Sequence, residues 1–497
     1  MKYNTKITIL DEVNIRVTGL LGKHNEHFVN KYSLFSKNYF FNPKYKLGRW
    51  DGKIAHFSKS GQTYLYILPE ILSDLIKFGY EIDIEDKRTS IVITPDPINE
   101  DIFANIIHPD TNKPIKLRSY QVDAINNILP DGNGTILAAT GAGKTIICAA
   151  ILQAYTKYNI KSITIVPDQN LIIQTKKTFI LCNLDVGEYS GKNKDINHQH
   201  VVSTWQALQH NPALVSMFDL VIVDECHKLS GSVLKTLICD RASNLPYRFG
   251  VTGTLPKEPI DELGVKISVG PVKYEIPAHK LIDSGVLAKL DISVLQLEEN
   301  LIEQYNEYVK ECIMNKPVSY SKFKDQYFPD YSIEKSYLQH NDHRIQWIAD
   351  KLISTKDEKG NVLCLVNSIP VARKLAKIIP NAYCVNGQDV KDPKKRQETY
   401  DLFETQNDLI VIATVHIAGT GLSINRIFSL FSIDMGRSFS QTIQVIGRGL
   451  RTSSDKHDIV FYDVCGDLKC GKKHLKERIQ YYDEAKYPYK IHKIKYN

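Results

Sequence analysis

No stretch of this chain approaches the roughly 20 consecutive apolar residues that a membrane-spanning helix needs. The opening MKYNTKITIL lacks the charged-then-apolar pattern of a secretory signal. Nine cysteines are an odd number, scattered mostly through apolar segments such as Leu363-Cys364-Leu365. No disulfide framework is spaced this way, and the expectation is reduced thiols in a cytoplasmic protein. Cys465, Cys470 and His474 lie near one another but match no common zinc spacing, so they read as structural and no structural zinc is expected. With 27 glycines, 20 prolines, 43% apolar and 24% charged residues, composition excludes disordered and fibrous classes. Neither a low-complexity segment nor a short repeat is present.

What is present is length, and 497 residues exceed one hydrophobic core. Residues 1–100 read as a small α+β unit, with strands at Ile7 and Ile9, at Val13, Ile15 and Val17, and at 90–94. A helix is expected around Ile71–Ile76. Residues 101–288 alternate near-continuous apolar strands (162–166, 201–204, 220–223) with helical stretches. That pattern predicts a parallel sheet covered on both faces. Residues 289–340 are polar and tyrosine-rich and are expected to be a helical linker. A second alternating series, 341–465, predicts another α/β lobe, with strands at 361–366, 382–385, 409–413 and 459–462. Residues 466–497 form a basic, aromatic tail. The formal charge of +7 is uneven: from Cys470 onward eight Lys or Arg face three Asp or Glu, among several tyrosines.

The chemistry starts at Ala138-Ala139-Thr140-Gly141-Ala142-Gly143-Lys144-Thr145. An apolar strand precedes this octet and a buried helix follows it, the setting of a phosphate-binding loop. Backbone N–H groups of Thr140, Gly141, Ala142 and Gly143, with the helix N-terminus, suit anionic oxygens. Lys144 can reach β- and γ-phosphates, and the Thr145 hydroxyl can hold Mg²⁺. The usual first glycine is Ala138. About 80 residues on, Leu220-Val221-Ile222-Val223 puts Asp224 at the carboxyl end of a buried strand, where α/β sheets place ligands. A carboxylate there can fix Mg²⁺, and Glu225 is placed to orient or deprotonate water. ATP and Mg²⁺ are therefore the expected cofactors.

Together these motifs resemble superfamily 2 helicases, with Asp224-Glu225-Cys226-His227 at the family's Asp-Glu-x-His position. The resemblance implies two tandem RecA-like lobes after the small N-terminal domain, and it assigns further residues. Arg118 and Gln121 would contact adenine. Pro167, Gln174, Ser203 and Thr204 would contact nucleic acid in the first lobe. Thr252, Gly253 and Thr254 would couple hydrolysis to lobe movement. In the second lobe Thr420, Gly421 and Ser423 resemble motif V. Gln444, Arg448 and Arg451 resemble motif VI, in which the arginines stabilise charge on the transferring phosphoryl group. The place of His227 suits a hydrogen bond bridging to the second lobe.

Between Lys37 and Lys59 six basic residues face one acid, with Phe, Tyr and Trp among them. Basic residues interleaved with aromatics suit a polyanion with stackable bases; packing of Trp50 in its own small core suits the same composition. The Asn42-Pro43 and Gly48-Arg49-Trp50-Asp51-Gly52 elements are similar to the accessory domain of phage UvsW-type helicases. That resemblance implies DNA contacts by Lys44, Lys46, Arg49, Trp50 and Lys53. It also implies remodelling of branched DNA by branch migration, fork regression and junction unwinding, in a host cytoplasm. Other readings fit the same motifs: an RNA-stimulated helicase, the motor subunit of a restriction-type complex, and a nucleotide-dependent DNA-binding protein that does not hydrolyse.

Overall fold

A computed structural model of the chain describes residues 3–37, 39–89, 92–109, 112–191, 193–299, 331–390, 392–415, 426–436, 446–447, 450, 456 and 458–496. Contacts divide it into two compact units: Met1–Ala139 with Gly143–Ile276, and Thr140–Ala142 with Pro277–Asn497. Among the described residues no helix is long and apolar enough to cross a membrane.

The first unit opens with a four-stranded sheet in the order Gln62–Tyr64, Asn14–Thr18, Tyr3–Ile9, Tyr80–Asp86. Asp11 makes the first turn: its Oδ1 accepts the N–H groups of Val13 (2.8 Å) and Asn14 (2.7 Å), the way an aspartate closes a tight turn on its own backbone. Ile7, Val13, Ile15 and Val17 bury one face against Phe28, Ile71 and Leu75. That core also contains Cys239 and Ile267 from the first α/β lobe, and Glu12 N–H donates to Ser243 O at 2.9 Å. Residues 1–100 therefore have their own sheet but share a core with that lobe. Of the strand expected at 90–94, Ser90 and Ile91 lie outside the described residues, and 92–94 carry no regular structure. Ile93 N–H donates to the Tyr247 hydroxyl at 2.6 Å rather than to a ladder.

The first lobe is an eight-stranded sheet. Its order is Lys194–Asp195, Val186–Tyr189, His200–Thr204, Ser162–Val166, Leu220–Asp224, Tyr247–Thr252, Asn133–Ala138 and Val272–Ile276. Every neighbouring pair is parallel except Val186–Tyr189 with Lys194–Asp195. The central strands are buried on both faces, as the unbroken apolar runs require. The helix Lys144–Thr156 is apolar almost all round and buried along its length, the composition of a core helix.

The second unit holds a seven-stranded parallel sheet in the order Tyr383–Val385, Ile410–Thr414, Val362–Val366, Ser429–Ile433, Asp458–Gly466, Lys289–Glu298, Tyr489–Lys495. Two expectations are corrected here. The 289–340 segment is no simple helical linker, because Lys289–Glu298 is an interior strand between Asp458–Gly466 and Tyr489–Lys495. Residues 466–497 are no loose tail either. Lys469–Glu484 is a helix that buries Leu475, Arg478, Tyr481 and Tyr482, and the chain returns as the strand Tyr489–Lys495. The tyrosines that looked available for stacking thus anchor this element, and its lysines occupy a sheet edge and a helix face.

Two buried arginines knit this lobe. Arg344 Nε donates to Glu299 Oε1 at 3.0 Å and its Nη2 to Asp434 Oδ1 at 2.7 Å. Tyr496, just past the last strand, donates its hydroxyl to the other Glu299 oxygen. Arg478 Nε donates to Asp463 Oδ2 at 2.8 Å and its Nη1 to the Met435 carbonyl at 2.6 Å, while the Tyr482 hydroxyl shares the same Asp463 oxygen at 2.9 Å.

Candidate active site

The carboxyl ends of three adjacent strands, Leu220–Asp224, Tyr247–Thr252 and Asn133–Ala138, bring the first lobe's chemistry together. The loop after Asn133–Ala138 turns through Gly141 (φ 88°) and Gly143 (φ 83°), left-handed conformations that glycine adopts without strain. A Cβ on Gly143 would lie 2.5 Å from Gln121 Nε2, so this glycine is what lets the Gln121 amide close onto the loop. The helix Lys144–Thr156 then starts with no side-chain cap. Its first N–H groups lack a side-chain acceptor, as an anion site at a helix start requires. Thr145 occupies its first turn.

Lys144 Nζ lies 3.6 Å from Glu225 Oε1. The other Glu225 oxygen is 3.2 Å from His227 Nδ1 and accepts the Thr252 hydroxyl at 3.3 Å. His227 Nδ1 is also 2.9 Å from Thr252 Oγ1, and Thr254 N–H donates to that same hydroxyl oxygen at 3.3 Å. One polar chain thus runs Lys144, Glu225, His227, Thr252, Thr254. Its members come from the phosphate loop, the Asp-Glu-x-His motif and the Thr-Gly-Thr motif. Glu225 reaches into it from a left-handed backbone, φ 52°. For a non-glycine residue that conformation costs roughly 1–2 kcal/mol, a strain that concentrates at functional positions.

The two carboxylates differ in electrostatics. Burial pushes the Asp224 carboxyl above the usual carboxylate range; the Glu225 charge adds to the push and Lys144 opposes it. Burial works against Glu225 ionisation as well, but Lys144 and His227 outweigh it and hold its carboxyl well below the usual range. Glu225 is thus an anion at neutral pH, while at Asp224 burial and the Glu225 charge outweigh Lys144. That imbalance suits a divalent cation beside Asp224 and Thr145. Among the described residues no cluster of three or more His, Cys, Asp or Glu could hold a metal. The chemistry of Asp224 and Thr145 suits Mg²⁺ held by one carboxylate, one hydroxyl and substrate phosphates, a usual arrangement for this ion.

Other expected residues are placed unequally. Gln121 is buried and its Oε1 accepts the Arg118 backbone N–H at 2.9 Å. Arg118 Nη1 donates to the Tyr120 hydroxyl at 2.9 Å. Thr140, Gly141 and Ala142 group with the second unit, and Gly253 is partly exposed between the buried Thr252 and Thr254. Pro167 O accepts from Gln206 Nε2 at 3.2 Å, and Gln174 lies partly buried on the helix Gln169–Leu181.

Two expectations need correction. The Ser203 hydroxyl is buried and donates to the Tyr189 carbonyl at 2.7 Å. The Thr204 hydroxyl accepts the Ala207 N–H at 3.3 Å, capping a short helix. Both hydroxyls are engaged inside the protein, which does not support their gripping phosphates. His227 Nδ1 lies against Glu225 and Thr252 in its own lobe, and the second-lobe motif it is expected to reach lies outside the described residues.

In the N-terminal domain Lys44, Lys46 and Arg49 are exposed, while Trp50 and Lys53 are half-buried. Trp50 Nε1 donates to the Lys53 carbonyl at 2.7 Å, so the indole braces a turn and sits neither in a core nor fully in solvent. Phe40 and Phe41, absent from the expected contacts, are exposed, as is Phe35; the signal of the first two was present in the Phe-Phe pair itself. Gln444, Arg448, Arg451, Thr420, Gly421 and Ser423 lie outside the described residues.

Known proteins resemble this chain. The family model for the type III restriction enzyme res subunit matches residues 114–257, and the helicase conserved C-terminal domain matches 344–453. The ATP-dependent DNA helicase uvsW of Enterobacteria phage T4 is 23% identical over 491 residues, covering 92% of this chain and 93% of that protein. Putative helicase 22 of Sulfolobus islandicus filamentous virus is 26% identical over 387 residues, covering 73% of this chain and 66% of that protein. In fold, the chain is similar to a fragment of a putative HsdR subunit of a type I restriction enzyme from Vibrio vulnificus YJ016. That match has a TM-score of 0.57 at 16% identity, covering 80% of this chain and 71% of that one. The two family models match in chain order, one on each α/β lobe, and between them take in just over half of the sequence: the chain belongs to the superfamily 2 helicases.

Proposed function

We propose that this helicase is an ATP-driven DNA translocase that remodels branched DNA by branch migration, fork regression and junction unwinding. ATP hydrolysis and action on DNA come with the family. Similarity to T4 uvsW along almost the whole chain, accessory domain included, supports the finer reading of substrate. The observation that carries the enzymatic half is the polar chain from Lys144 through Glu225 and His227 to Thr252.

Each residue's work follows from its place. Lys144 binds the β- and γ-phosphates, and the loop N–H groups orient them. Thr145 and Asp224 would hold Mg²⁺, which when bound neutralises charge on the phosphates. Glu225 orients the attacking water and takes its proton. His227 and Thr252 hold the Glu225 carboxylate, so a change at the γ-phosphate position is felt by the Thr252–Thr254 segment. Gln444, Arg448 and Arg451 are assigned to the transferring phosphoryl group, and Thr420, Gly421 and Ser423 to strand phosphates. On the first lobe Pro167 and Gln174 border the strand path, and Lys44, Lys46, Arg49 and Lys53 supply phosphate contacts from the accessory domain. Such contacts position DNA without reading its sequence, so binding is expected to be salt-sensitive and sequence-tolerant. The place of work under this reading is a host cell's cytoplasm.

The deciding experiment compares hydrolysis stimulated by a four-way DNA junction, linear duplex DNA and structured RNA, with strand displacement followed in parallel. The expected order is junction above linear duplex, with RNA weakest, and Lys144→Ala abolishes hydrolysis. Stimulation by RNA alone overturns the substrate assignment. The res-subunit match favours a second reading, the motor of a restriction-type complex. Junction unwinding by the purified chain alone would rule against that.

A further inference from the structure

Between the strands Ser33–Phe35 and Lys53–Ala55 of the N-terminal domain, an excursion of the chain leaves Phe35, Phe40 and Phe41 exposed. Strands Ser33–Phe35 and Lys53–Ala55 pair antiparallel at its base. Above them run a 3₁₀ turn, Tyr39–Phe41, and a short helix, Pro43–Lys46, whose first turn is closed by Asn42 Oδ1 accepting the Lys44 N–H at 2.9 Å. Tyr39 is the hub. Its ring stacks on Phe35 at 4.6 Å and meets Tyr45 edge-on at 4.8 Å and Phe40 at 5.7 Å. Gly52 (φ 84°) makes room for it: a Cβ there would lie 2.5 Å from the Tyr39 ring. Phe40 and Phe41 sit at the top, their ring centroids 4.4 Å apart, and they are 48% and 54% exposed. Phe35, below them, is 50% exposed.

Contiguous exposed aromatics in a folded domain mark a contact surface. The charge around this one selects its partner. Six basic residues surround it in sequence against one acid, and that acid, Asp51, turns Oδ1 to the Lys53 backbone N–H at 2.9 Å. Lys53 Nζ lies 5.1 Å from the Phe35 ring centroid, and Lys37 faces Glu258 at 3.8 Å. An acidic polymer that also offers flat π faces answers both features. A continuous duplex shows only base edges and phosphates in its grooves, so a ring face can stack only on a base whose neighbour has left the stack. Such bases occur at branch points and strand openings.

We propose that Phe40 and Phe41 form a stacking platform for an unpaired base at a DNA branch point, with Lys44, Arg49 and Lys53 on the flanking phosphates. Trp50 is held apart from this role by its bond to the Lys53 carbonyl. The proposal rests on the DNA reading above and adds to it the element that tells a branch from a plain duplex. It also ties that element to the ATPase lobe. The helix Pro259–Val269 packs on the strand Ser33–Phe35 and on the turn Cys226–Ser230 that follows Asp224-Glu225.

The test uses the full chain and its Phe40→Ala/Phe41→Ala double variant at one fixed salt concentration. Affinities are measured for a four-way junction carrying 2-aminopurine at the branch point and for a linear duplex of the same length. Because both rings are exposed, the melting temperature is expected to hold and serves as the folding control. Stacking of one base predicts a roughly ten- to hundredfold loss of junction affinity, a much smaller loss for linear duplex, and disappearance of the 2-aminopurine quench. Phe40→Trp/Phe41→Trp should restore all three. Equal losses on both substrates, or junction affinity within twofold of the unmutated chain, would overturn the proposal. So would a variant whose only change is in self-association measured by sedimentation, which would make the patch a protein contact. If the unmutated chain shows no DNA-stimulated hydrolysis, the underlying DNA reading fails instead, a result separable from the others.

Discussion

Glu225→Gln separates the roles assigned around Lys144, because the structure predicts changes of opposite sign in two measurable quantities. The Glu225 carboxylate sits 3.6 Å from Lys144 Nζ, 3.2 Å from His227 Nδ1 and 3.3 Å from Thr252 Oγ1. Glutamine keeps the shape and the backbone demand, but it removes the base and turns an amide group toward a neighbourhood of donors. Loss of general-base and water-orienting action lowers kcat by about 10²–10⁴, or roughly 2.7–5.5 kcal/mol of transition-state stabilisation. Nucleotide affinity should move the other way. In the nucleotide-free chain Glu225 competes with phosphate for Lys144; the pair is partly exposed, and such pairs are worth about 1 kcal/mol or less. Removing it should tighten ATP binding by up to about fivefold. Single-turnover hydrolysis and equilibrium binding of a fluorescent ATP analogue read the two effects separately. A kcat within tenfold of the unmutated enzyme, or ATP affinity falling in step with kcat, would refute the assignment of Glu225.

Three further outcomes concern the scaffold. Arg344→Leu leaves Glu299 and Asp434 without their shared cation, both buried or partly so. Breaking such a pair costs about 3–5 kcal/mol, so the melting transition of the second unit should fall by roughly 6–20 °C; a shift under 2 °C would argue against the clamp. His200 and His56 are both held neutral, burial pushing each down to about 4, with Lys235 adding to the effect at His56. The unfolded chain, with histidines near 6.5, binds more protons between pH 4 and 6.5. Stability should therefore fall as pH drops through that window, while the half-buried His198, raised by Asp185, opposes this. Melts from pH 7 to 5 should show the decline, and His200→Gln should flatten it. Trp50→Phe loses the bond to the Lys53 carbonyl, for about 0.5–1.5 kcal/mol, and should lower the melting point of the first unit slightly. A loss of DNA affinity beyond tenfold would show instead that the indole itself is a stacking group.

Features carried by short stretches of backbone were readable from the chain alone. The phosphate loop announced itself because Gly141 and Gly143 meet a local demand for positive φ, and Lys144 and Thr145 must follow at once. Asp224 was readable as a strand end because four apolar residues precede it. The alternation of buried strands with helices gave two parallel-sheet lobes for the same reason, since a strand buried on both faces has to be apolar throughout. That uniformity also hid something. With both faces buried, Ser203 carries no sign of direction, and only the neighbouring strand showed that its hydroxyl belongs to the Tyr189 carbonyl.

Tertiary structure alone decided which distant segments pair. Lys289–Glu298 reads as polar linker because Lys289, Asp291 and Ser293 interrupt it. It is a strand because Asp458–Gly466 and Tyr489–Lys495 lie on its two sides, more than 150 residues away in sequence. The basic end of the chain became a strand by the same pairing, with Tyr482 and Tyr496 committed to Asp463 and Glu299. In the N-terminal domain composition set Trp50, Phe40 and Phe41 side by side as equals. One hydrogen bond to the Lys53 carbonyl made Trp50 a brace, while Phe40 and Phe41 stayed exposed. Residue types determine which chemistry is available; which atoms are left free to perform it depends on partners that only the folded chain supplies.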